Sequence, residues 1–215
     1  MADRKAFLIG SASLASLILR APAARADGLD YTVPGSIFPI SQAQKVWGCW
    51  AASYAMLYSW KVQSNTSMAD SVASLGQPFV DIFNNDTGLP SSKYPLFEQT
   101  ANLVNEQPTD YTMTGWHDLL KNFGPLCVTT TTTLPDPNQP IAVHARIIVG
   151  ILGDGSDPST TNLLLVDPAQ DPNSISTKWV SVTEFTTEYD NVAKAELQKF
   201  PGVTLAPQVM HYPAG

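Results

Sequence analysis

Charge is scarce in this chain. Of its 215 residues only 14% are Asp, Glu, Lys or Arg, against about a quarter in an ordinary soluble domain. Thr, Ser, Asn and Gln must therefore carry the surface. Basic residues are outnumbered by acidic ones, 12 against 19, for a net charge of −7. With no basic run to neutralise phosphates, nucleic acid drops out as a partner class. The two cysteines are too few for a disulfide framework and allow one bridge at most. The three histidines do not cluster, which argues against a zinc site. There is no internal repeat and no linker long enough to divide the chain. One apolar stretch stands near the N-terminus, Phe7 to Leu19. It is short for a membrane span, is interrupted by serines and ends at Arg20, so no stable membrane anchor is expected.

That stretch has a different meaning. Arg4 and Lys5 precede it, and Ala24-Arg25-Ala26 follows with small residues around a cleavage point. The pattern is that of an export signal over residues 1–26, with the mature chain beginning at Asp27 as a single domain, 27–215. The opening DRKAFL resembles a twin-arginine signal in which Lys5 replaces the second arginine; an ordinary secretory signal is the other reading. The expected location is exported, periplasmic or secreted.

The mature chain changes character midway. Asp27 to Ser41, with Pro34, Gly35 and Pro39, reads as an extended lead-in. From Gly48 to about Lys61 the apolar residues Cys49, Ala52, Met56 and Trp60 recur near the helical period. Short helices are expected over Ser67–Leu75, capped by Ser67, over Ser92–Val104, and from a Thr114 cap to Phe123, where Gly124-Pro125 stops it. Gln77–Ser92 and Leu134–Pro140 read as loops. Strands are expected over Leu126–Thr133, Ile141–Leu152, Asn162–Asp167 and Ser176–Val182, with a late helix over Val182–Asn191. Helices first and strands second indicate an α+β fold. The chain offers no long apolar helical seam, so a monomer is the default.

Cys49 stands at the first turn of the longest expected helix, in WGCWAASYAML. Unpaired N–H groups and the positive end of the helix dipole favour a thiolate there, and a thiolate is the nucleophilic form. A glutamine upstream can supply an amide N–H to an oxyanion beside the Cys49 N–H. The bland reading of Cys49 is a small buried hydrophobe.

A glutamine followed by Cys-Trp-Ala-Ala at the start of a helix resembles the papain-like cysteine peptidases. The closer likeness is to the bacterial branch of avirulence-type effector proteases and bacteriocin-processing (double-glycine) peptidases. LLKNFGPLCV, HARIIVGILGDG and LLLVDP resemble, in order, three further segments of that branch. The resemblance implies a papain-like fold, with a helical part carrying the nucleophile packed on a C-terminal antiparallel sheet. It implies peptide-bond hydrolysis on a protein or peptide substrate, without a cofactor. It places Cys49 on the nucleophile, His144 on the general base and Asp167 on the carboxylate that orients the base. The local pattern agrees: His144 begins one strand and Asp167 ends the next, and antiparallel pairing makes them neighbours. Without those partners, His144 would read as a core histidine and Asp167, before Pro168, as a turn former.

The family's oxyanion glutamine falls six residues before the cysteine, where this chain has Ala43. Gln42 and Gln44 flank it, and Gln42 is preferred because a surplus residue can loop out. Trp179 is a candidate shield for the bond between base and orienter, or simply a packing residue. Cys127 and His117 read as structural, and His211 has no evident partner. Asp154 and Asp157 form a turn and lack calcium-loop spacing. Three other functions share the pattern: an amidase acting on peptidoglycan, a delivered toxin or effector, and a binding module that kept the fold without catalysis.

Overall fold

The computed structural model describes residues 28–43, 45–131, 143–168, 176–199 and 208–214. The elements run β1 (Tyr31–Thr32), α1 (Cys49–Val62), α2 (Met68–Ala73), α3 (Gln77–Asn85), α4 (Tyr94–Ala101), β2 (Val104–Glu106), α5 (Met113–Phe123), β3 (Leu126–Thr130), β4 (His144–Leu152), β5 (Asn162–Asp167), β6 (Ser176–Ser181), α6 (Val182–Lys199) and β7 (Val209–His211). All strand pairs are antiparallel, in the order β2-β7-β3-β4-β5-β6, with β1 on β4 beyond the end of β3. The fold is α+β with its helical part first, as expected.

The sheet is covered on both faces. One face carries Cys127, Ala145, Ile147, Val149, Leu164 and Val166 into a core shared with α1 and the helices that follow it. The other carries Leu126, Val128, Ile148, Leu163 and Leu165 against α5 and α6. This is why β3 is buried at every position and β4 at all but its ends, since a strand covered on both sides needs apolar residues on both. Helix α1 follows the same rule. Trp50 through Leu57 are all buried, as befits a helix apolar all round.

A bulge in β4 between Ile148 and Gly150 shifts the register against β5. It turns Ile151 onto the α5–α6 face beside Leu163. Glycine is needed there because a Cβ on Gly150 would stand 3.0 Å from the Tyr31 carbonyl oxygen, and β1 could not approach. Gly124 closes α5 at φ +83, where a Cβ would fall 2.3 Å from the Trp60 ring.

Several expected boundaries move. Gln77–Ser92 is not a loop throughout: α3 occupies Gln77–Asn85, with Pro78 in its first turn and Phe79 buried as its anchor. The cap of α5 is Thr112, whose side chain accepts the Gly115 N–H at 3.0 Å, and not Thr114, which lies inside the first turn. Asn102, left-handed at φ 53, stops α4 at Ala101. The residues after it then form β2. Helix α6 continues past Asn191 to Lys199. Ser67 caps α2 through the Asp70 N–H at 3.1 Å. Residues 134–140 and the segment 1–26 expected to be an export signal lie outside the described residues.

His211 does have partners. It is buried in β7, with Nε2 2.8 Å from the Glu106 carboxylate and Nδ1 2.8 Å from the Tyr212 carbonyl. Its ring stacks on Phe123 at 3.9 Å. These contacts tie β7 to β2 and α5 by side chains as well as by the ladder.

Candidate active site

The turn before α1 is built to present Cys49. Gly48 N–H donates to the Lys45 carbonyl at 3.2 Å, and the first helical bond runs from Ala52 N–H to Gly48 O at 3.0 Å. The N–H groups of Cys49, Trp50 and Ala51 therefore have no backbone acceptor among the described residues. Among the described residues no side chain caps this end, and its first turn holds no acid. Three donors and the helix dipole are left for an anion at or near Sγ.

Asp86 holds this turn from outside. It ends α3 in the left-handed conformation. Its carboxylate accepts the N–H groups of Val46 and Trp47 at 2.8 and 2.9 Å. Nothing in the sequence reading singled it out; the signal available was Asp86 in the turn-forming run Asn84-Asn85-Asp86-Thr87-Gly88. Gln42 holds the same turn from inside. It is buried, and its Nε2 donates to the carbonyls of Lys45 and Val46 at 3.3 and 3.2 Å. Gln44 lies outside the described residues.

Across the cleft, His144 opens β4 and Asp167 closes β5. Nε2 of His144 is 2.6 Å from Oδ1 of Asp167, and Cys49 lies near enough to the same ring to raise its pKa. Since Nε2 faces the carboxylate, Nδ1 is the nitrogen left for the thiol. The register explains the pairing. Ile147 lies opposite Val166, so the ends of the two strands meet just beyond that pair. The three residues that the sequence pointed to are thus brought into one chain of contacts.

Burial opposes a charge on the His144 ring, but hydrogen bonds to Asp167 and Cys49 and their negative charges outweigh it and raise the group from 6.5 to about 9. Burial also opposes the Asp167 charge. There the His144 hydrogen bond and the positive charges of His144, Arg146 and Lys178 prevail, and the carboxyl is held below its ordinary range. The two shifts favour imidazolium beside carboxylate across neutral pH.

A stability consequence follows from the signs. The raised His144 contributes stability that is fully present below pH 6.5 and is lost as pH rises through about 9. Denaturant midpoints of the parent are expected to fall over that window, and those of His144→Ala to fall less. The effect is small, because the His144 side chain is 37% exposed and solvent screens it. Equal slopes in the two proteins would count against the ion pair.

A cavity of about 260 Å³ opens beside Cys49. Trp47, Trp50, Leu89, Phe97, Ala145 and Met210 are among the side chains that make it mainly apolar. It can take an apolar substrate side chain. Tyr94 and Cys127 also line it. Burial, then the charges of Glu196, Cys49 and Cys127, push the Tyr94 phenol up to about 12. Burial and Cys49 push the Cys127 thiol up to about 12. Cys127 thus stays a neutral thiol, and neither cysteine is in a disulfide. Trp179 lies opposite Leu164, whereas Ser176 lies opposite Asp167. By strand alternation its indole is on the Leu164 face, and it is 41% exposed.

Among the described residues no cluster of His, Cys, Asp or Glu can hold a metal ion, and no helix is long and apolar enough to cross a membrane.

A cysteine at a helix N-terminus facing a histidine on an antiparallel sheet is the arrangement of a papain-like cysteine protease. The family model described as papain-like cysteine protease AvrRpt2 matches residues 31–190, most of the chain, and the chain belongs to that family. It is a cysteine peptidase, and its substrate is protein or peptide. No curated protein matches the sequence.

Proposed function

We propose that this peptidase is exported and cleaves peptide bonds through Cys49, His144 and Asp167 by way of an acyl-enzyme. The observation that carries the proposal is the 2.6 Å bond from His144 Nε2 to Asp167, on a ring whose pKa Cys49 also raises. With the Cys49 proton held on His144, the sulfur attacks the amide carbonyl carbon. The carbonyl π electrons pass to oxygen, and the Cys49 N–H donates to that oxyanion. As the tetrahedral species collapses, the C–N bond breaks and His144 returns the proton to the leaving amine. A thioester remains on Cys49. Water, deprotonated by His144, attacks it and releases the acid and the free thiol. Asp167 orients the ring and stabilises its charged form throughout.

Gln42 is the second oxyanion donor in this reading. One of its N–H groups exchanges a long bond to a turn carbonyl for the developing oxyanion. Gln42→Ala is expected to lower kcat by about 10²-fold or more while leaving iodoacetamide alkylation of Cys49 within a few fold, because alkylation develops no oxyanion. A parallel fall in alkylation would instead make Gln42 a brace for the turn.

The test of the whole reading is hydrolysis of casein by the purified chain beside Cys49→Ala and His144→Ala. Turnover by the parent and by neither variant supports it. Equal turnover by all three overturns it, and turnover of purified sacculi without casein moves the substrate to peptidoglycan. Export is checked by sequencing the N-terminus of the chain recovered outside the cytoplasm, where Asp27 is the expected first residue.

A further inference from the structure

Arg146, like Asp86, is a residue of this site that the sequence did not single out, although a charge inside the apolar run HARIIVGIL is a visible irregularity. It is buried, two residues after His144 and on the same face of β4. The register that sets Ile147 opposite Val166 sets Arg146 beside Asp167. Among the described residues the guanidinium has three polar neighbours. Nη2 donates to the Glu188 carboxylate of α6 and to Thr130 Oγ1 of β3, and Nη1 stands 4.0 Å from Oδ2 of Asp167. Its Nε is buried without a partner.

We propose that Arg146, clamped by Glu188 and Thr130, is a positioning residue that fixes the Asp167 carboxylate as the partner of His144. The proposal rests on the triad reading above. Burying a guanidinium costs solvation that an apolar side chain would not. Glu188 answers most of the charge, and the remaining field of the cation falls on Oδ2. The two oxygens of Asp167 are thereby divided, Oδ1 to the imidazole and Oδ2 toward the guanidinium. The 4.0 Å separation matters as much as the charge. An unrestrained arginine would take both oxygens in a fork and draw Oδ1 away from His144. Glu188 and Thr130 hold it back.

The result is a line of alternating charges behind Cys49: the His144 imidazolium, Asp167 carboxylate, Arg146 guanidinium and Glu188 carboxylate. Among the described residues, the charges that act on Asp167 are those of His144, Arg146 and Lys178 of β6; Lys178 is exposed and therefore screened.

The experiment uses the full chain and two probes, casein hydrolysis and iodoacetamide alkylation of Cys49 against pH, read on the Cys49 peptide so that Cys127 does not contribute. Arg146→Met is expected to lower kcat on casein by about ten- to a hundredfold with KM little changed, from loss of orientation at the base. The acidic edge of the alkylation profile is expected to move up by about one pH unit, because Asp167 loses a neighbouring cation and protonates sooner. Arg146→Lys is expected to return the edge toward the parent. The double variant Arg146→Met with Glu188→Leu removes both partners, so that no orphan charge is buried, and is expected to fold and keep both defects. A folded single or double variant with the parent's kcat and edge overturns the proposal. So does a slow variant whose edge is unmoved and which lysine does not rescue. His144→Ala and Asp167→Asn run beside these. If they match the parent, the triad reading has failed; if they are inactive while the arginine variants match the parent, only the role of Arg146 has failed.

Discussion

His144→Ala is expected to cut casein hydrolysis at least ~10⁴-fold, and Cys49→Ala to do the same, with the double variant little worse than either. The non-additivity is part of the expectation, because the thiol and the imidazole act as one proton-transfer unit. Cys49 without His144 loses the base that takes its proton, and His144 alone has nothing to activate. Iodoacetamide separates the two roles. In the parent Cys49 is expected to alkylate much faster than a simple thiol at the same pH, whereas in His144→Ala it should react only as a simple thiol does. Cys127 serves as an internal control, since burial and Cys49 hold its thiol up at about 12. If Cys49 in the parent reacts no faster than an ordinary thiol, the catalytic reading is lost. The alkaline side carries its own expectation. His144 is raised to about 9, and above that value the proton needed by the leaving amine is gone, so hydrolysis should decline there.

Trp116→Ala is expected to destabilise the protein by about 3–5 kcal/mol, the largest stability effect of any single change considered. Trp116 is 1% exposed. It meets Phe185 and Tyr189 of α6 edge-on, at centroid distances of 5.3 and 5.6 Å, and Tyr111 at 4.7 Å. Alanine would leave a cavity between α5, α6 and the sheet, lined by rings too rigid to collapse into it. A loss of this size is a large part of the 5–15 kcal/mol that a domain has. Urea midpoints measure it, with Trp116→Phe expected to lose much less because a ring still fills the space. The change reaches the site as well. Helix α6 carries Glu188, so partial loosening of α6 should release Arg146 and lower activity even in the folded fraction. A midpoint within experimental error of the parent would mean that the cluster is not the anchor of α5 and α6.

The parts of this protein that could be read from the sequence are the ones set by short-range physics. Cys49 declared itself because a helix pattern begins at it, and the N-terminus of a helix is defined by the residues around it. His144 and Asp167 were legible because His144 stands at the start of one β-rich run and Asp167 at the end of the next. Ser67 was read as a cap from its own neighbourhood. The resemblance then assigned roles that the local pattern had only made possible.

What the sequence misplaced depends on partners far along the chain. Strand β7 is three residues in a proline-containing tail, and its pairing with β2 and β3 comes from register alone. The same holds for His211, whose partners Glu106 and Phe123 stand far from it in sequence. Helix α3 lies in a stretch that lacks clear helical period, and burial of Phe79 decides it. Thr112 and Thr114 are both plausible caps; the one that reaches the Gly115 N–H is the cap.

The sequence by itself determined the α+β order, the nucleophile helix, the two strands that carry base and carboxylate, and the family likeness. These rest on periodicity and on motifs whose residues are near neighbours. Only the tertiary structure decided that Asp86 and Gln42 hold the cysteine turn, that the sheet is covered on both faces, and that Arg146 stands behind Asp167 with Glu188 behind it. The reason is physical. A hydrogen bond between distant residues requires that many intervening dihedrals be set first, and no local preference encodes that sum.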